Sequence, residues 1–354
     1  MLAIAEQLEL LGNSPSRLRF VGSRRGQEVT ILAGGPIALT LLPGRGIKRS
    51  FSWSSIVSNV LALGGLVTAL VIALVKVGRW RPSVVVSVGG YASFATSLSA
   101  VIWRCPLVLV EFDAAPGAAQ RLLARFAARR CTAFASDDPR AVTTGAPLRE
   151  AILAVDRTDE ARRVARAAQD PPINAERMIV VVMTGSLGSH RVNTAVSELA
   201  KLWSRRADRT VIHVTGRRDF AEVSAARPET SQLDYRVVEF GDMPRLWALC
   251  DVAVCRSGAI TLSELTALGI ASVLVPLPDA PDDHQTKNAQ SLVEVGGARL
   301  IRDADCGAAL LATTLDEIME PGQLAAMSAS ALSLGRRDAA HAIARVVLEV
   351  AGFS

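Results

Sequence analysis

The sequence predicts an α/β protein made of two doubly wound parallel-sheet halves, and three observations predict it. Short, almost wholly apolar runs recur at 84–88, 107–111, 178–183, 211–214, 252–254 and 272–275, most of them leading through turn residues into a helical pattern. Half of the residues are apolar and only 5% aromatic, with Ala, Val and Leu prominent, which suits helices packed closely on sheets. A chain of 354 residues can bury two cores, and Asp170-Pro171-Pro172-Ile173-Asn174 is its clearest linker composition.

The chain opens in helix pattern, with Leu2, Ala5, Leu8 and Leu11 on one side and Gly12 as the stop. A strand follows at 18–21, then a turn through Arg24-Arg25-Gly26-Gln27-Glu28. A Rossmann-like half normally carries phosphate-binding glycines between its first strand and first helix, so a start on a helix implies a mis-assigned start or a lost loop. Residues 50–75 are uncharged, and 56–75 is apolar enough to be weighed as a membrane span. Against a span stand the serines and Asn59 at one end, Gly64-Gly65 in the middle, and the buried strand that follows at once. A crossover helix joining parallel strands of one sheet cannot also leave the domain. The expectation is a crossover helix with a greasy outer side, lying on a membrane surface beside Lys48, Arg49, Lys76, Arg79 and Arg81.

Next come the turn Gly89-Gly90-Tyr91, a helix over 93–103, a strand at 107–111, a loop at 112–117 and a basic helix over 120–130. Residues 147–170 are charged and helical in pattern, and the final helix, about 336–351, has apolar positions at Ala339, Ile343, Val346, Val347 and Val350. The expected division is an N-terminal domain, 1–150, onto which 336–354 packs back, a linker region, 151–174, and a second domain, 175–330.

The second half is organised around 251–289. Strands at 252–254 and 272–275 enclose a helix over 261–268 that Ser257 and Gly258 open. Ligands of open α/β sheets bind at the carboxyl ends of strands, and the free N–H groups of a helix N-terminus suit a phosphate. Ser257, Gly258 and Thr261 therefore stand where a diphosphate would lie, and Glu264, one turn on, can accept two hydrogen bonds from a ribose diol. In Thr184-Gly185-Ser186-Leu187-Gly188-Ser189, the Ser186 hydroxyl can meet a phosphate oxygen while Gly185 and Gly188 leave room for backbone N–H groups. Gln285 and Asn288, in the polar stretch after the second strand, offer the mixed donors and acceptors that sugar hydroxyls need. A glycine after a strand often serves only close helix packing, but three such turns in one chain are harder to explain that way. Together they read as a sugar-nucleotide pocket.

A net charge of +5 suits an anionic partner, and the lack of any basic run interleaved with aromatics argues against nucleic acid. The five cysteines are odd in number and widely spaced, as expected of reduced thiols in the cytosol. His190 and His213 have no neighbouring ligands, and Asp282-Asp283 has no second carboxylate cluster, so no metal is expected. Arg256 reads as a structural hydrogen-bond donor.

Cys-Arg-Ser-Gly-Ala-Ile-Thr-Leu-Ser-Glu at 255–264, with Val275-Pro276-Leu277-Pro278 and Asp283-His284-Gln285-x-x-Asn288-Ala289, resembles the bacterial peptidoglycan N-acetylglucosaminyltransferase (MurG) family. Arg24-Arg25-Gly26-x-Glu28, 81–85, 89–93, 145–149 and 239–243 extend the resemblance over nearly the whole chain. It implies a GT-B fold, two Rossmann-like domains facing a central cleft. The second domain would hold the donor, and the first the acceptor diphosphate near Gly89, Gly90 and Tyr91. By the same resemblance Ser186 and Thr261 contact the donor diphosphate, Gly241 meets uracil through its backbone, Glu264 holds the ribose, and Gln285 and Asn288 the N-acetylglucosamine. The implied reaction is inverting, without metal or cofactor. It moves N-acetylglucosamine from UDP-N-acetylglucosamine to the 4-hydroxyl of the muramyl sugar of lipid I, giving lipid II for peptidoglycan at the cytoplasmic face of the membrane. The implied partners are the UDP-sugar, a lipid-linked diphosphate acceptor and an anionic membrane surface.

Three departures stand out. The family's Gly-Gly-Thr-Gly-Gly-His loop has no counterpart, of its His-Glu-Gln-Asn segment only Glu111 is kept, and the second glycine loop is altered at 184–189. Glu111 or Asp113 is then left as the candidate base, since a carboxylate in a half-buried cleft can have a raised pKa. The alternatives are a donor-binding homologue that transfers poorly or not at all in cell-wall assembly, or a transferase with another lipid acceptor.

Overall fold

Every strand pairing among the described residues is parallel, as apolar runs joined by helices require. The structure, a computed structural model, describes residues 1–24, 32, 34–43 and 53–353, without the side chains at 53–63 and 91. Most of the turn expected at 24–28, together with Lys48 and Arg49, lies outside the described residues. The chain divides into Met1–Pro147 with Asp338–Ser354, and Leu148–Arg337.

In the first unit, helix α1 (Leu2–Leu10) precedes a two-strand sheet of β1 (Arg19–Ser23) and β2 (Ala38–Leu42). Helix α2 (Trp53–Trp80) leads to a second sheet, β3 (Val85–Ser87), β4 (Leu107–Glu111), β5 (Arg129–Thr132) and β6 (Ala141–Thr143), paired in chain order. Helices α3 (Tyr91–Ile102) and α4 (Ala118–Ala124) make the crossovers between its first three strands. Strand β4 shows why this sheet is wound on both faces. Its side chains alternate with period two, so Val108 and Val110 join Ile4, Leu8, Ile343 and Val347 in one core. Leu107 and Leu109 join Ala100, Leu123 and Ala127 in another. The final helix α14 (Ala339–Ala351) thus covers one face of this sheet.

The basic helix expected over 120–130 is a correction. The helix stops at Ala124, and residues 129–132 form a strand, because the Ala128 N–H bonds Leu107 and Cys131 fills the core between α1 and α14. The Arg130 charge is met by Glu111 at 2.6 Å and Asp138 at 2.8 Å. Sheet pairing and ion pairing outweigh local helix propensity here.

Helix α2 is the uncharged stretch continued into a basic end. Its inward positions Ala69 and Ala73 pack with Leu42, Ala92 and Ala95, while Val67, Val71 and Val75, each four residues apart, are exposed. Ile102, Trp103, Leu122 and Phe126 are also exposed. The Trp103 indole lies against Gly78 and donates to the Leu74 carbonyl at 2.9 Å. Among the described residues, no helix is long and apolar enough to cross a membrane.

The second unit begins with α5 (Glu150–Leu153) and α6 (Asp159–Ala167), followed by β7 (Met178–Met183), α7 (His190–Leu202), β8 (Arg209–Val214), α8 (Phe220–Ala225) and β9 (Asp234–Val238). Then come α9 (Met243–Leu249), β10 (Val252–Cys255), α10 (Ala259–Leu268), β11 (Ala271–Leu274), α11 (His284–Glu294), β12 (Ala298–Leu300), α12 (Ala308–Ile318) and α13 (Pro321–Ser333). The strand order, β12-β11-β10-β7-β8-β9, is the doubly wound order that reverses between β7 and β10. Val180, Val182, Val252, Val254 and Val273 face Val192, Val196, Leu199, Leu311 and Leu315 in one core. Complete burial of each such side chain is worth roughly 1.5–3 kcal/mol.

The segment 151–174, expected as a linker region, lies inside this unit. Arg162 and Arg166 of α6 both bond Asp251, whose Oδ2 also accepts the Ile179 N–H at 2.7 Å. That cluster ties α6 to the starts of β7 and β10.

Candidate active site

All six strands of the second unit point the same way, so the loops after them emerge at one edge of the sheet. Along that edge lie, in spatial order, Gly241 after β9, Arg217 after β8, Ser186 after β7, Ser257 after β10 and Gln285 after β11. Five neighbouring strands at about 4.8 Å spacing span roughly 19 Å, the reach of an extended nucleotide sugar. At the centre, β7 and β10 are paired neighbours whose connections leave in different directions, which opens the crevice where such folds bind ligands.

The turn 184–189 has Gly185 at φ +95° and Gly188 at φ +81°, in the left-handed region that a side chain strains. Ser186 and Leu187 are exposed at its tip. Ser189 caps α7 by accepting the Val192 N–H at 3.4 Å, and its hydroxyl is 2.6 Å from the Arg256 guanidinium. Arg256 also donates to the carbonyls of Val275 at 3.0 Å and Pro276 at 2.9 Å, and pairs with Asp303 at 2.7 Å. This one side chain fastens the glycine turn, the end of β11 and the turn at 303, the structural part expected of it. The Thr184 hydroxyl, at the root of the turn, is buried without a protein partner, and no sequence signal marked it.

Gly258 is the N-cap of α10, and Thr261 sits half-buried in the first turn of that helix. Unpaired N–H groups and the helix dipole make this tip favourable to an anion. Ser257 itself is wholly buried and donates to the Gln285 carbonyl at 2.8 Å. Asn288, expected at the sugar, is also wholly buried and donates to the Ser257 carbonyl at 3.2 Å. The two form a brace beneath the 281–285 turn and leave Gln285 half-buried above, where its Oε1 accepts the Leu277 N–H at 3.1 Å. Glu264 is buried, its Oε2 accepting from the Trp247 indole at 2.8 Å and its Oε1 lying 4.0 Å from the exposed Arg149 guanidinium. Burial pushes its pKa up, against the opposing effects of the Trp247 hydrogen bond and the Arg149 charge. Trp247 and Arg149 are far from Glu264 in sequence, and only the fold brings them to it.

Gly241 is pinned: a Cβ there would come within 2.3 Å of Leu246. Beside it the exposed Phe240 ring carries the Arg217 guanidinium 5.5 Å above it.

In the first unit, Gly89 and Gly90 both have positive φ, and Gly90 is the N-cap of α3, whose first residue is Tyr91. The Tyr91 side chain lies outside the described residues. Glu111 is buried with both oxygens engaged by Arg130, at 3.2 and 2.6 Å, so it is held as half of an ion pair. Asp113 lines a cavity of about 90 Å³ with Ala114, Thr132 and Ser136. Among the described residues no three acidic, histidine or cysteine side chains are placed to hold a metal ion.

Residues 1–132 match the glycosyltransferase family 28 N-terminal domain and residues 179–343 its C-terminal domain. The chain is 35% identical to the UDP-N-acetylglucosamine--N-acetylmuramyl-(pentapeptide) pyrophosphoryl-undecaprenol N-acetylglucosamine transferase of Pseudomonas aeruginosa, covering 99% of this chain and 94% of that protein. It is equally similar, 35%, to the transferase of the same name from Burkholderia multivorans, over 99% and 92% of the two chains. Among solved structures, Acinetobacter baumannii MurG superposes with a TM-score of 0.77 at 23% identity, over 98% of this chain and 94% of that one. That likeness establishes the fold as GT-B, two parallel-sheet α/β domains.

Proposed function

The chain belongs to glycosyltransferase family 28, and on that premise we propose that it moves N-acetylglucosamine from UDP-N-acetylglucosamine to the 4-hydroxyl of the muramyl sugar of lipid I, giving lipid II for peptidoglycan synthesis. The observation that carries this reading is the single edge holding Gly241, Ser186, Thr261, Glu264 and Gln285, with Arg256 fastening its centre. Uracil lies at Gly241, the ribose diol on Glu264, the diphosphate between the 184–189 turn and the tip of α10, and the sugar at Gln285.

The acceptor oxygen attacks C1 as the bond from C1 to the β-phosphate oxygen breaks, so UDP leaves and the configuration inverts. Charge growing on the departing diphosphate is met by backbone N–H groups and the α10 dipole, without metal or cofactor. A base must take the proton of the 4-hydroxyl. We assign that role to Asp113, which lines a cavity of the first unit. The exposed apolar row of α2, with Trp103 and the flanking basic residues, would rest on the anionic cytoplasmic face of the membrane, where the lipid-linked acceptor lies.

Turnover of a lipid I analogue with UDP-N-acetylglucosamine tests the reaction. Donor binding without product would leave a donor-binding homologue, and transfer to another lipid alone would redirect the acceptor. Flotation with anionic vesicles at low salt tests the membrane contact, and protein left unbound removes it.

A further inference from the structure

Behind the donor turn runs a chain of hydrogen bonds that the reaction itself does not use. His213 of β8 is wholly buried, with Nδ1 2.9 Å from the Tyr235 hydroxyl and Nε2 3.0 Å from Asn193 Oδ1. The Asn193 amide nitrogen lies 3.0 Å from the Thr215 carbonyl and 2.9 Å from Asp219 Oδ2. These contacts determine where each proton sits. Both groups facing the amide nitrogen can only accept, so its two hydrogens go to them and Oδ1 must accept in turn. His213 therefore carries its proton on Nε2, and its bare Nδ1 accepts from the Tyr235 hydroxyl. Burial keeps the ring neutral, lowering its pKa to about 4.

The far end of this chain touches the donor turn. A Cβ on Gly188 would lie 2.0 Å from the Thr215 carbonyl oxygen that Asn193 holds, and one on Gly216 would lie 2.4 Å from the Gly188 nitrogen. The Arg217 N–H donates to the Ser186 carbonyl at 3.0 Å, and Arg218, paired with Asp219, reaches the Gly188 carbonyl at 3.3 Å. Buried polar chains are costly unless every member is satisfied. An apolar core would hold β8 and α7 together equally well, so the polar chain has to be accounted for by what it touches.

We propose that Asn193, with His213 as its donor and Asp219 as its acceptor, is a positioning residue for the donor diphosphate. By holding the Thr215 carbonyl it seats Gly188, and so keeps the N–H groups of the 184–189 turn aimed at the phosphates. This rests on the donor reading of that turn.

The test is steady-state kinetics of the full chain with UDP-N-acetylglucosamine and a lipid I analogue. Asn193→Asp removes both amide donors and sets a second carboxylate against Asp219. It should raise the donor KM about tenfold or more, the loss of a charge-assisted hydrogen bond, and lower kcat with it, because the same N–H groups meet the charge growing on the leaving diphosphate. Adding Asp219→Asn relieves the clash of carboxylates but leaves the Thr215 carbonyl without its amide donor, so the donor KM should stay raised. An unchanged KM in the single variant, or full recovery in a folded double variant, overturns the proposal. Should Asn193→Asp fail to fold, His213→Gln, which keeps a donor near Nε2, should retain the donor KM and His213→Leu should raise it. Equal values for those two also overturn it. Ser186→Ala and Glu264→Gln are run in parallel. If neither weakens donor binding, the donor reading itself fails; if both do and Asn193→Asp does not, only this inference fails.

Discussion

The glycine turns at 184–189 and 89–90 share a backbone sign and have opposite surroundings. At 184–189 the second half of the turn is hemmed in, though Gly185 at its start is open: Gly188 touches the Thr215 carbonyl, Ser189 is held by Arg256, and Asn193 closes the ring behind. At 89–90 a Cβ on Gly90 would meet nothing within 4 Å, and Gly89 has only the Gln120 amide beneath it. Nearby, Gln120 Oε1 and the Thr132 hydroxyl are buried without protein partners. The donor turn is preorganised by its own protein, whereas the first unit's turn leaves room and polar valence for something else to complete. Backbone amides aimed in advance do not have to reorganise as charge develops, which is where most electrostatic catalysis comes from.

The comparison can be broken most forcefully by adding one methyl group to each turn. Gly188→Ala should destabilise the second unit by about 3 kcal/mol or more and abolish UDP binding, since the new atom must displace backbone. Gly90→Ala should cost only the roughly 1–3 kcal/mol of holding a side chain at φ 87° and ψ 172°, a backbone conformation nearly confined to glycine. Similar losses in paired melts would remove the contrast.

A titration sharpens it next. The native state binds the His213 proton less tightly than the unfolded chain, so this group adds stability at neutral pH that is lost as pH falls from 6.5 to about 4. The effect is about 3 kcal/mol at most, and His213→Gln should flatten the stability profile across that window.

Glu264 has the opposite sign. Its raised pKa means that the native state favours the protonated form, so stability declines as pH rises past the ordinary carboxylate value. Glu264→Gln should leave the melting temperature at neutral pH unchanged or higher, yet weaken UDP binding by roughly 1.5–3 kcal/mol. Calorimetry showing unweakened UDP binding would take the ribose away from this residue.

The smallest change is expected in the first unit, where Thr132→Val removes a hydroxyl that bonds nothing in the protein and should alter stability by less than about 1 kcal/mol. A larger loss would mean that the hydroxyl is satisfied in solution.

Much of this was legible in the sequence because the second sheet is written in wholly apolar strands with glycine at their ends; 178–183 and 252–255 show their fold without any partner in view. What local pattern could not show was where charges and amides turn inward. Arg130 looks like a helix surface until Glu111 and Asp138 appear beside it. Arg162 and Arg166 make 151–174 look like an exposed linker, though they close on a single buried Asp251. Asn288 sits in a polar stretch that reads as solvent-facing, but the first turn of α11 rotates it under Ser257. Each of these depends on a partner elsewhere in the chain, from 8 to 89 residues away, which periodicity does not carry.

The last helix has a further consequence for how the molecule is made. Because Ile343, Ala344, Val346 and Val347 roof the sheet that carries Val108 and Val110, the lobe translated first is the lobe completed last. Until residues 338–353 are in place, the 1–147 segment has an open greasy flank. Termination before residue 343 would therefore damage the oldest part of the chain and spare the newest.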